Sequence, residues 1–426
     1  MAEKGIREYD AKHLLAKAFP EFSGREFKYE AKSVLVGPDT DLDNLVNEHW
    51  WLETEKLVVK PDQLFGKRGK NNLLYVDKTW DEAKNWIQER MNEEVTIVQS
   101  AGETTGVLTH FLIEPFVPHE DEYYLAITTH RDKDTIHFSL NGGVDIEEVW
   151  DTVVTLDIPI LSTIDDMDVE GFLPDELGDK KTKVADFIRV LYKILVDYHF
   201  VYLELNPFTF VGNAVVLLDA VAKLDDYASF QSAEKWGSLK FPSPFGLSKT
   251  KEEEYVAHLD KRTGASLKLT ILNPKGSVWK LVAGGGASVI YADTVADLGY
   301  ADELANYGEY SGDPSTELTY EYTKTILQLM TQEKDPDGRP KSLLIGGGIA
   351  NFTDVAATFT GIIQAIKEHA AQLKKAKVKI YVRRGGPNYK EGLEMMRRMG
   401  EQLGLPVDVY GPETHMTKIV SMALQD

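Results

Sequence analysis

The chain is 426 residues long and carries 47 Lys plus Arg against 68 Asp plus Glu, a formal charge of −21, with no cysteine. That charge sets the surface potential against polyanions, which makes nucleic acid and anionic membranes poor partners, and the missing thiols exclude disulfides, thiolate metal sites and cysteine catalysis. The length accommodates two to four domains, and no apolar stretch approaches the roughly 18 to 20 residues of a membrane span, so the expectation is a soluble cytoplasmic protein.

In chain order, MAEKGIREYDAKHLLAKAF reads as an amphipathic helix over about residues 7–18 and lacks the apolar centre of a signal peptide. Strand-like runs follow at KLVVKP, NLLYV, TIVQS, FLIEPFV, YYLAITTH and TIHFSL, with a helix over 80–91 among them. A helix over 183–198 then leads into a hairpin at FVYLELNPFTFVGNAVVLLDA. This mixture predicts an α+β region over 1–242, in two subdomains of about 1–110 and 111–242. The prolines and glycine of KFPSPFG, residues 240–246, mark a linker. Beyond it, short apolar runs alternate with helical periodicity, as in SVWKLVAGGG, SLLIGGG, VKIYVRR and PVDVYG, which predicts a parallel sheet with helices on both faces over 243–426. Val355, Phe359, Ile362, Ile363, Ile366, Ala370 and Leu373 place one buried face along a single long helix.

The chemistry-bearing residues of the first region stand at the ends of its apolar runs. Lys60 closes LVVK and enters a basic loop of Lys67, Arg68, Gly69 and Lys70, a set suited to nucleotide phosphates, although a lysine after a strand is ordinarily just solvated. Glu114 and Glu122 flank a segment able to meet adenine and a ribose hydroxyl. Asn206 and Asp219 fall on successive strands of the hairpin, where their oxygens converge on one cation such as magnesium; a turn asparagine and a strand-end aspartate are the plain alternative.

In the second region, three strand-to-helix turns share one rim: AGGGAS at 283–288, GGGIANFT at 346–353 and RRGGPN at 383–388. Glycine there lets backbone approach a ligand, and the following helix offers free N–H groups to an anion. Arg383 and Arg384 add a possible bidentate grip on a carboxylate. YGEYSG, 307–312, reads as a loop able to close over them. No Walker lysine follows either glycine run, so the expected ligand is a small polycarboxylate. Taken singly, each turn needs its glycines only for geometry.

Longer stretches carry a resemblance over nearly the whole chain: KLVVKPDQLFGKRGK, FLIEPFVPH, LELNPF, TGASLKLTILNPKG, VAGGGASV, ELANYGEYSG, ANFTDVAATF, RRGGPNYKEGL and ETHMT. They resemble the citrate- and ATP-binding part of the ATP-citrate lyase family in its two-subunit form. More distantly the chain is similar to the β-subunit of succinyl-CoA synthetase, an ATP-grasp fold followed by a flavodoxin-like domain. The resemblance implies that Lys60, Arg68 and Gly69 contact ATP, that Pro115, Val117 and Glu122 frame adenine and ribose, and that Asn206 and Asp219 hold Mg2+. It places citrate against Gly312, Asn351, Phe352, Thr353 and Arg384, with Gly284, Gly285, Ala287 and Ser288 beside it. Asp260, Thr263 and Ala265 match a segment the family associates with a metal ion, with Thr263 standing where serine is common. Gly348 also stands where the family often has serine, and TIVQSAGETTGV is longer than its counterparts.

The family carries phosphate on a histidine in a small-residue loop, and none of the ten histidines here lies in such a setting. The resemblance therefore implies a larger partner subunit bearing the phosphohistidine, the coenzyme A site and the citryl-CoA lyase domain. Together they convert citrate, ATP and coenzyme A through citryl-CoA to acetyl-CoA and oxaloacetate. A citryl-CoA synthetase subunit and a non-catalytic citrate- and nucleotide-binding regulatory subunit are the competing readings; the joint presence of Lys60, Asn206, Asp219 and Arg384 argues against the second.

Overall fold

A computed structural model describes the chain apart from residues 1–2, 25–26, 100–101, 144–145, 248, 263, 333–334, 336–337 and 426. The chain divides into two compact units, Met1–Ser248 and Lys249–Asp426. Among the described residues no helix is long and apolar enough to cross a membrane.

The strands of the first unit are β1 (Glu3–Ile6), β2 (Val34–Val36), β3 (Leu57–Pro61), β4 (Tyr75–Lys78), β5 (Glu94–Gln99), β6 (Gly102–Val107), β7 (Phe111–Pro115), β8 (Tyr123–Thr129), β9 (Lys133–Ser139), β10 (Val154–Pro159), β11 (Phe200–Val211), β12 (Ala214–Leu217) and β13 (Ala220–Asp225). A large antiparallel sheet runs β1-β13-β11-β8-β9-β10, with β12 also on β11. The helix Lys181–Asp197 repeats apolar residues at three- and four-residue spacing and buries Val184, Phe187, Ile188, Leu191 and Ile194. With Leu15 and Phe19 of the helix Glu8–Phe22 these residues form one core against Leu125, Ile127, Leu203 and Ala222 of the sheet. A smaller sheet, β2-β7-β3-β4, is covered by the helix Trp80–Arg90, which buries Trp80, Ala83, Trp86 and Ile87. That helix starts where it does because Thr79 and Glu82 form a reciprocal capping box.

Chain order is not sheet order here, so a division near residue 110 does not separate the two sheets. Residues 3–6, just ahead of the expected helix, are strand β1 paired with β13 and carry the first helix onto the large sheet. β7, just past 110, pairs with both β2 and β3 of the small sheet. KFPSPFG is not a free linker: Pro244 bridges Leu64, and buried Phe245 packs on Phe65 with ring centroids 4.6 Å apart. Its phenylalanine costs more in water than in the core, which ties the segment to the first unit.

The second unit contains β14 (Ser266–Ile271), β15 (Val278–Ala283), β16 (Asn306–Ser311), β17 (Ser342–Gly347), β18 (Lys379–Arg383) and β19 (Val407–Tyr410). Their order is β14-β16-β15-β17-β18-β19, parallel from β16 to β19 with β14 antiparallel at the edge. Counted from β15, the parallel strands run 2-1-3-4-5, the doubly wound flavodoxin order. Alternation along the strands divides two cores. Leu343, Ile345, Ile380 and Val382 face the helices Thr316–Gln332, Val355–Glu368 and Tyr389–Leu403. Leu344 and Tyr381 face Gly285–Asp297 and Lys418–Gln425. The long apolar helix read from the sequence is broken at His369 into Val355–Glu368 and Ala370–Lys375.

YGEYSG is a strand, not a closing loop. Asn306, Gly308 and Tyr310 alternate inward in β16, and the period-two burial outweighs the turn signal of its glycines. A Cβ on Gly308 would lie 2.3 Å from the Lys268 carbonyl oxygen and 2.7 Å from the Tyr322 hydroxyl. Gly308→Ala is therefore expected to lower stability by about 1–3 kcal/mol, the range for overpacking. Urea unfolding checks it, and an unchanged midpoint would contradict the close packing.

Candidate functional site

In the first unit the predicted phosphate-binding residues meet in a buried ionic cluster. Lys60, on β3 opposite Leu112 of β7, is 2% exposed. Its Nζ donates to Glu8 Oε1 at 2.6 Å and to the Leu218 carbonyl at 2.7 Å. Arg68 Nη1 donates to Glu8 Oε2 at 2.5 Å and to Asp219 Oδ1 at 3.0 Å. Lys12, one helical turn beyond Glu8, lies 2.7 Å from Glu8 Oε1 and 2.7 and 2.8 Å from the two oxygens of Glu114. Arg68 Nε is buried with no partner, a donor still available to an anion. Burial alone opposes a charged Glu8, but Lys12, Lys60 and Arg68 outweigh it and hold the carboxyl well below the ordinary carboxylate range. Burial likewise opposes the charge on Arg68, and Asp219 and Glu8 overcome it. Gly69 follows in the same loop, with no atom within 4 Å of where its Cβ would be.

Pro115 ends β7, and the chain then reaches Val117 and Glu122, which His119 links: its Nδ1 lies 2.7 Å from the Val117 carbonyl and its Nε2 2.8 Å from Glu122 Oε1. Both ring nitrogens face acceptors, so the imidazolium form suits the position. Burial pushes the imidazole pKa down, and the Glu122 carboxylate with the Val117 carbonyl raises it overall. His119, like Glu8 and Lys12, was not among the residues singled out from the sequence.

Asn206 sits on β11, while Asp219 lies in the bend between β12 and β13 rather than on a strand. Their backbones meet through Asn206 N–H donating to the Asp219 carbonyl at 3.1 Å, and Asn206 Oδ1 accepts from Gly143 N–H at 2.8 Å. Asp219 keeps its side chain 37% exposed. One partly exposed carboxylate beside one amide oxygen is a sparse, hard-oxygen set, which fits magnesium that takes its remaining ligands from phosphates and water. Among the described residues no cluster of three or more His, Asp or Glu forms a self-sufficient metal cage.

In the second unit, the carboxyl ends of β15, β16, β17 and β18 carry the predicted glycine turns. Gly284, at φ 98°, opens the helix Gly285–Asp297, and its N–H donates to the Tyr310 carbonyl at 3.0 Å. Gly312, at φ 73°, leaves β16 beside Ala265, whose Cα a Cβ on Gly312 would approach to 3.3 Å. Arg384, following β18, is 5% exposed; its Nη1 donates to the Gly348 carbonyl at 2.6 Å, and its Nε is buried without a partner. Burial pushes the guanidinium pKa down, with Tyr310 and Tyr291 opposing the shift. Tyr310 adds a second buried polar atom without a partner, its hydroxyl.

Arg383 plays a different part from Arg384. Its three nitrogens donate to the carbonyls of Thr414, Gly347 and Pro412 at 2.8, 3.0 and 3.2 Å, so it ties turns together and is not a free carboxylate grip. Asn351 and Phe352 are exposed and Thr353 half-buried, in a loop pinned at one end by Ala350 N–H to the Gly385 carbonyl and at the other by Asp354, which caps the following helix. Gly348 has no atom within 4 Å of a would-be Cβ, so sterics do not demand glycine there.

Ala287 is half-buried, and Ser288 is turned inward, against the expectation that it faces the ligand. Its hydroxyl donates to the Gly308 carbonyl at 2.6 Å and accepts from Lys280 Nζ at 3.1 Å. Burial pushes the Lys280 pKa down to about 8. Between pH 8 and about 10.5 the unfolded lysine still holds a proton that the folded one has lost, so this group makes stability rise with pH in that window. Urea midpoints at pH 8 and 10 should show that rise, and Lys280→Met should lack it.

The Asp260 carboxylate is already engaged within the fold. Asp260 accepts from Leu267 N–H at 2.7 Å and Lys268 Nζ at 2.5 Å, so its two oxygens tie the helix Lys251–Asp260 to β14. Ala265 is buried, and Thr263 lies outside the described residues.

Two family descriptions match the two units. Residues 2–236 match the ATP-citrate synthase ATP-grasp domain, and residues 248–426 match the ATP citrate lyase citrate-binding region. The first unit is thus an ATP-grasp, nucleotide-binding fold, and the second an α/β domain of flavodoxin-like topology. ATP-citrate synthase alpha chain protein 2 of Arabidopsis thaliana is 48% identical over 100% of this chain and 99% of its own length. ATP-citrate synthase of Homo sapiens is also 48% identical over the whole chain, which spans only 38% of that protein. Among solved structures, ATP citrate lyase from Methanothrix soehngenii, in complex with citrate and coenzyme A, matches with TM-score 0.90 and 54% identity over 100% of both chains. An ATP citrate lyase variant from Methanosaeta concilii in complex with (3S)-citryl-CoA matches with TM-score 0.88 and 52% identity, again over 100% of both chains. The chain belongs to the ATP-citrate lyase (ATP-citrate synthase) family, as the part that carries its ATP-grasp and citrate-binding regions.

Proposed function

We propose that this chain binds ATP with magnesium in its first unit and citrate in its second, and that with a partner it activates citrate for reaction with coenzyme A. The observation that carries the reading is Arg384: a buried guanidinium with an unspent Nε, set at the carboxyl end of a parallel sheet among glycine turns. A polycarboxylate supplies the acceptors that this donor lacks, and the open N-terminus beyond Gly284 favours its charge. Gly312, Asn351, Phe352 and Thr353 then line the ligand, with Gly284, Gly285 and Ala287 against it.

In the first unit Lys60 and Arg68 hold the phosphates, with Gly69 giving the backbone close access. Pro115, Val117 and Glu122 frame adenine and ribose, the last two coupled through His119. Asn206 and Asp219 hold magnesium, which when bound neutralises charge on the phosphates. In this scheme Asp219 turns its charge from Arg68 to the metal, and Arg68 gains freedom to meet phosphate. Asp219→Ala is expected to weaken Mg-ATP binding by about 1–3 kcal/mol. Unchanged affinity in a calorimetric titration would remove Asp219 from the metal site.

The phosphoryl group passes from ATP to a histidine of the partner and then to a citrate carboxylate, giving citryl phosphate. Coenzyme A displaces phosphate to form citryl-CoA, and cleavage yields acetyl-CoA and oxaloacetate. The partner is a larger chain or domain carrying the histidine, the coenzyme A site and the lyase site. Support comes from the length of the human relative beyond the matched 38% and from the setting of the ten histidines here. Mixing the two chains with ATP, coenzyme A and citrate tests this: acetyl-CoA and oxaloacetate are expected. Accumulating citryl-CoA would make the chain a synthetase subunit, and absence of any ATP-dependent turnover would leave it a binding subunit.

A further inference from the structure

Glu8 lies 52 residues before Lys60 and 60 before Arg68, yet one of its oxygens meets each of them. Its side chain is 1% exposed and both oxygens are engaged, Oε1 with Lys60 at 2.6 Å and Oε2 with Arg68 at 2.5 Å. The backbone that carries it is also held. Glu8 N–H and Tyr9 N–H donate to the two oxygens of Asp62 at 2.8 and 3.1 Å, so the start of the first helix is pinned two residues beyond Lys60 on the same strand end. Arg7 Nη1 adds a bond to the Asp62 carbonyl.

Two roles are available to such a carboxylate. As a counter-ion it would balance the buried cations, and Lys12 is the obvious recipient, at 2.7 Å. Lys12, however, has its own carboxylate in Glu114, which receives it at 2.7 and 2.8 Å. What Glu8 alone supplies is a rigid fork that sets the spacing between the Lys60 ammonium and the Arg68 guanidinium. Its charge opposes an incoming anion, so anything it adds to phosphate binding comes from geometry.

We propose that Glu8 is a positioning residue for the nucleotide site, holding Lys60 and Arg68 at the separation the phosphates require. This rests on the reading that Lys60 and Arg68 contact those phosphates. Arg68 Nε, buried and unpartnered, is the donor such an arrangement leaves for the ligand.

The sign of one measurement separates the two roles. Titrate the full chain with Mg-ATP by calorimetry as wild type, Glu8→Gln and Glu8→Asp, with citrate titrated in parallel and the thermal midpoint recorded. Positioning predicts that both variants weaken Mg-ATP roughly ten- to hundredfold, the scale of a lost hydrogen bond to a charged group, while citrate affinity is unchanged. Tighter or unchanged Mg-ATP binding by Glu8→Gln, as simple charge removal predicts, would overturn the proposal. So would wild-type affinity in Glu8→Asp, which keeps the charge, is the variant more certain to fold, and shortens the reach by one methylene. Lys60→Ala and Arg68→Ala complete the set. If they too bind Mg-ATP normally, the phosphate assignment fails; if they lose it while the Glu8 variants do not, only the positioning role fails.

Discussion

Arg384→Ala is expected to weaken citrate binding by about 3 kcal/mol or more, over a hundredfold, while Mg-ATP affinity stays within about twofold of wild type. The size of the effect follows from burial. At 5% exposed, the guanidinium is shielded from the water that would otherwise compete for its donors, and one of them, Nε, has no partner in the fold. Burial already disfavours its charge, so an anionic partner regains what desolvation removes. Arg384→Lys should recover only part of the loss, because an ammonium keeps the charge without the planar fork. The expected selectivity rests on the proposed nucleotide residues all falling in the first unit and Arg384 in the second. Equal loss of both ligands in paired titrations would contradict that division.

Lys60→Ala should strike both stability and nucleotide binding. Removing one cation from a buried carboxylate leaves charge uncompensated, which costs roughly 3–5 kcal/mol for an isolated pair. Here Lys12 and Arg68 remain on Glu8, which sets the expectation near the lower end, about 3 kcal/mol. Mg-ATP affinity should fall at least tenfold, with citrate affinity retained. Chemical unfolding followed in parallel with calorimetry checks both, and a variant with unchanged stability would show that the cluster is not the tightly coupled unit its distances describe.

The second unit was legible because its physics is local. Apolar runs of strand length alternate with helical spacing, and glycines stand where strands meet helices, so the sheet and its rim of glycine turns follow from patterns a few residues wide. YGEYSG was misread for the same reason: two glycines signal a loop locally, whereas the inward alternation of Asn306, Gly308 and Tyr310 acquires meaning only once β14 and β15 flank them. Arg383 and Arg384 are adjacent and identical in type, and only the carbonyls of Gly347, Pro412 and Thr414 separate a tie between turns from a guanidinium with an unpartnered Nε. The same holds for Ser288, whose orientation depends on Lys280.

In the first unit the individual residues stood out, but the cluster did not. Lys60 and Asp219 end apolar runs and Arg68 stands in a basic loop, so all three draw notice. Glu8 and Lys12 belong to an amphipathic helix where charged residues ordinarily face water, and nothing within 50 residues marks them as buried. Their partners Lys60 and Glu114 lie 52 and 102 positions away, on strands that the large separation in sequence keeps out of any local pattern. Phe245 shows the same limit from the apolar side, since its prolines mark a linker and only the ring of Phe65 makes it core.

The measurement closest to the central claim is calorimetric titration of the full chain with citrate and then with succinate. Saturable citrate binding with little response to succinate is the predicted result, because in the proposed site a tricarboxylate would fill the rim around Arg384 and a dicarboxylate would leave it partly unpaired. Equal affinity for the two acids, or no citrate binding even after the partner chain is added, would contradict a tricarboxylate site at the GGGIANFT turn.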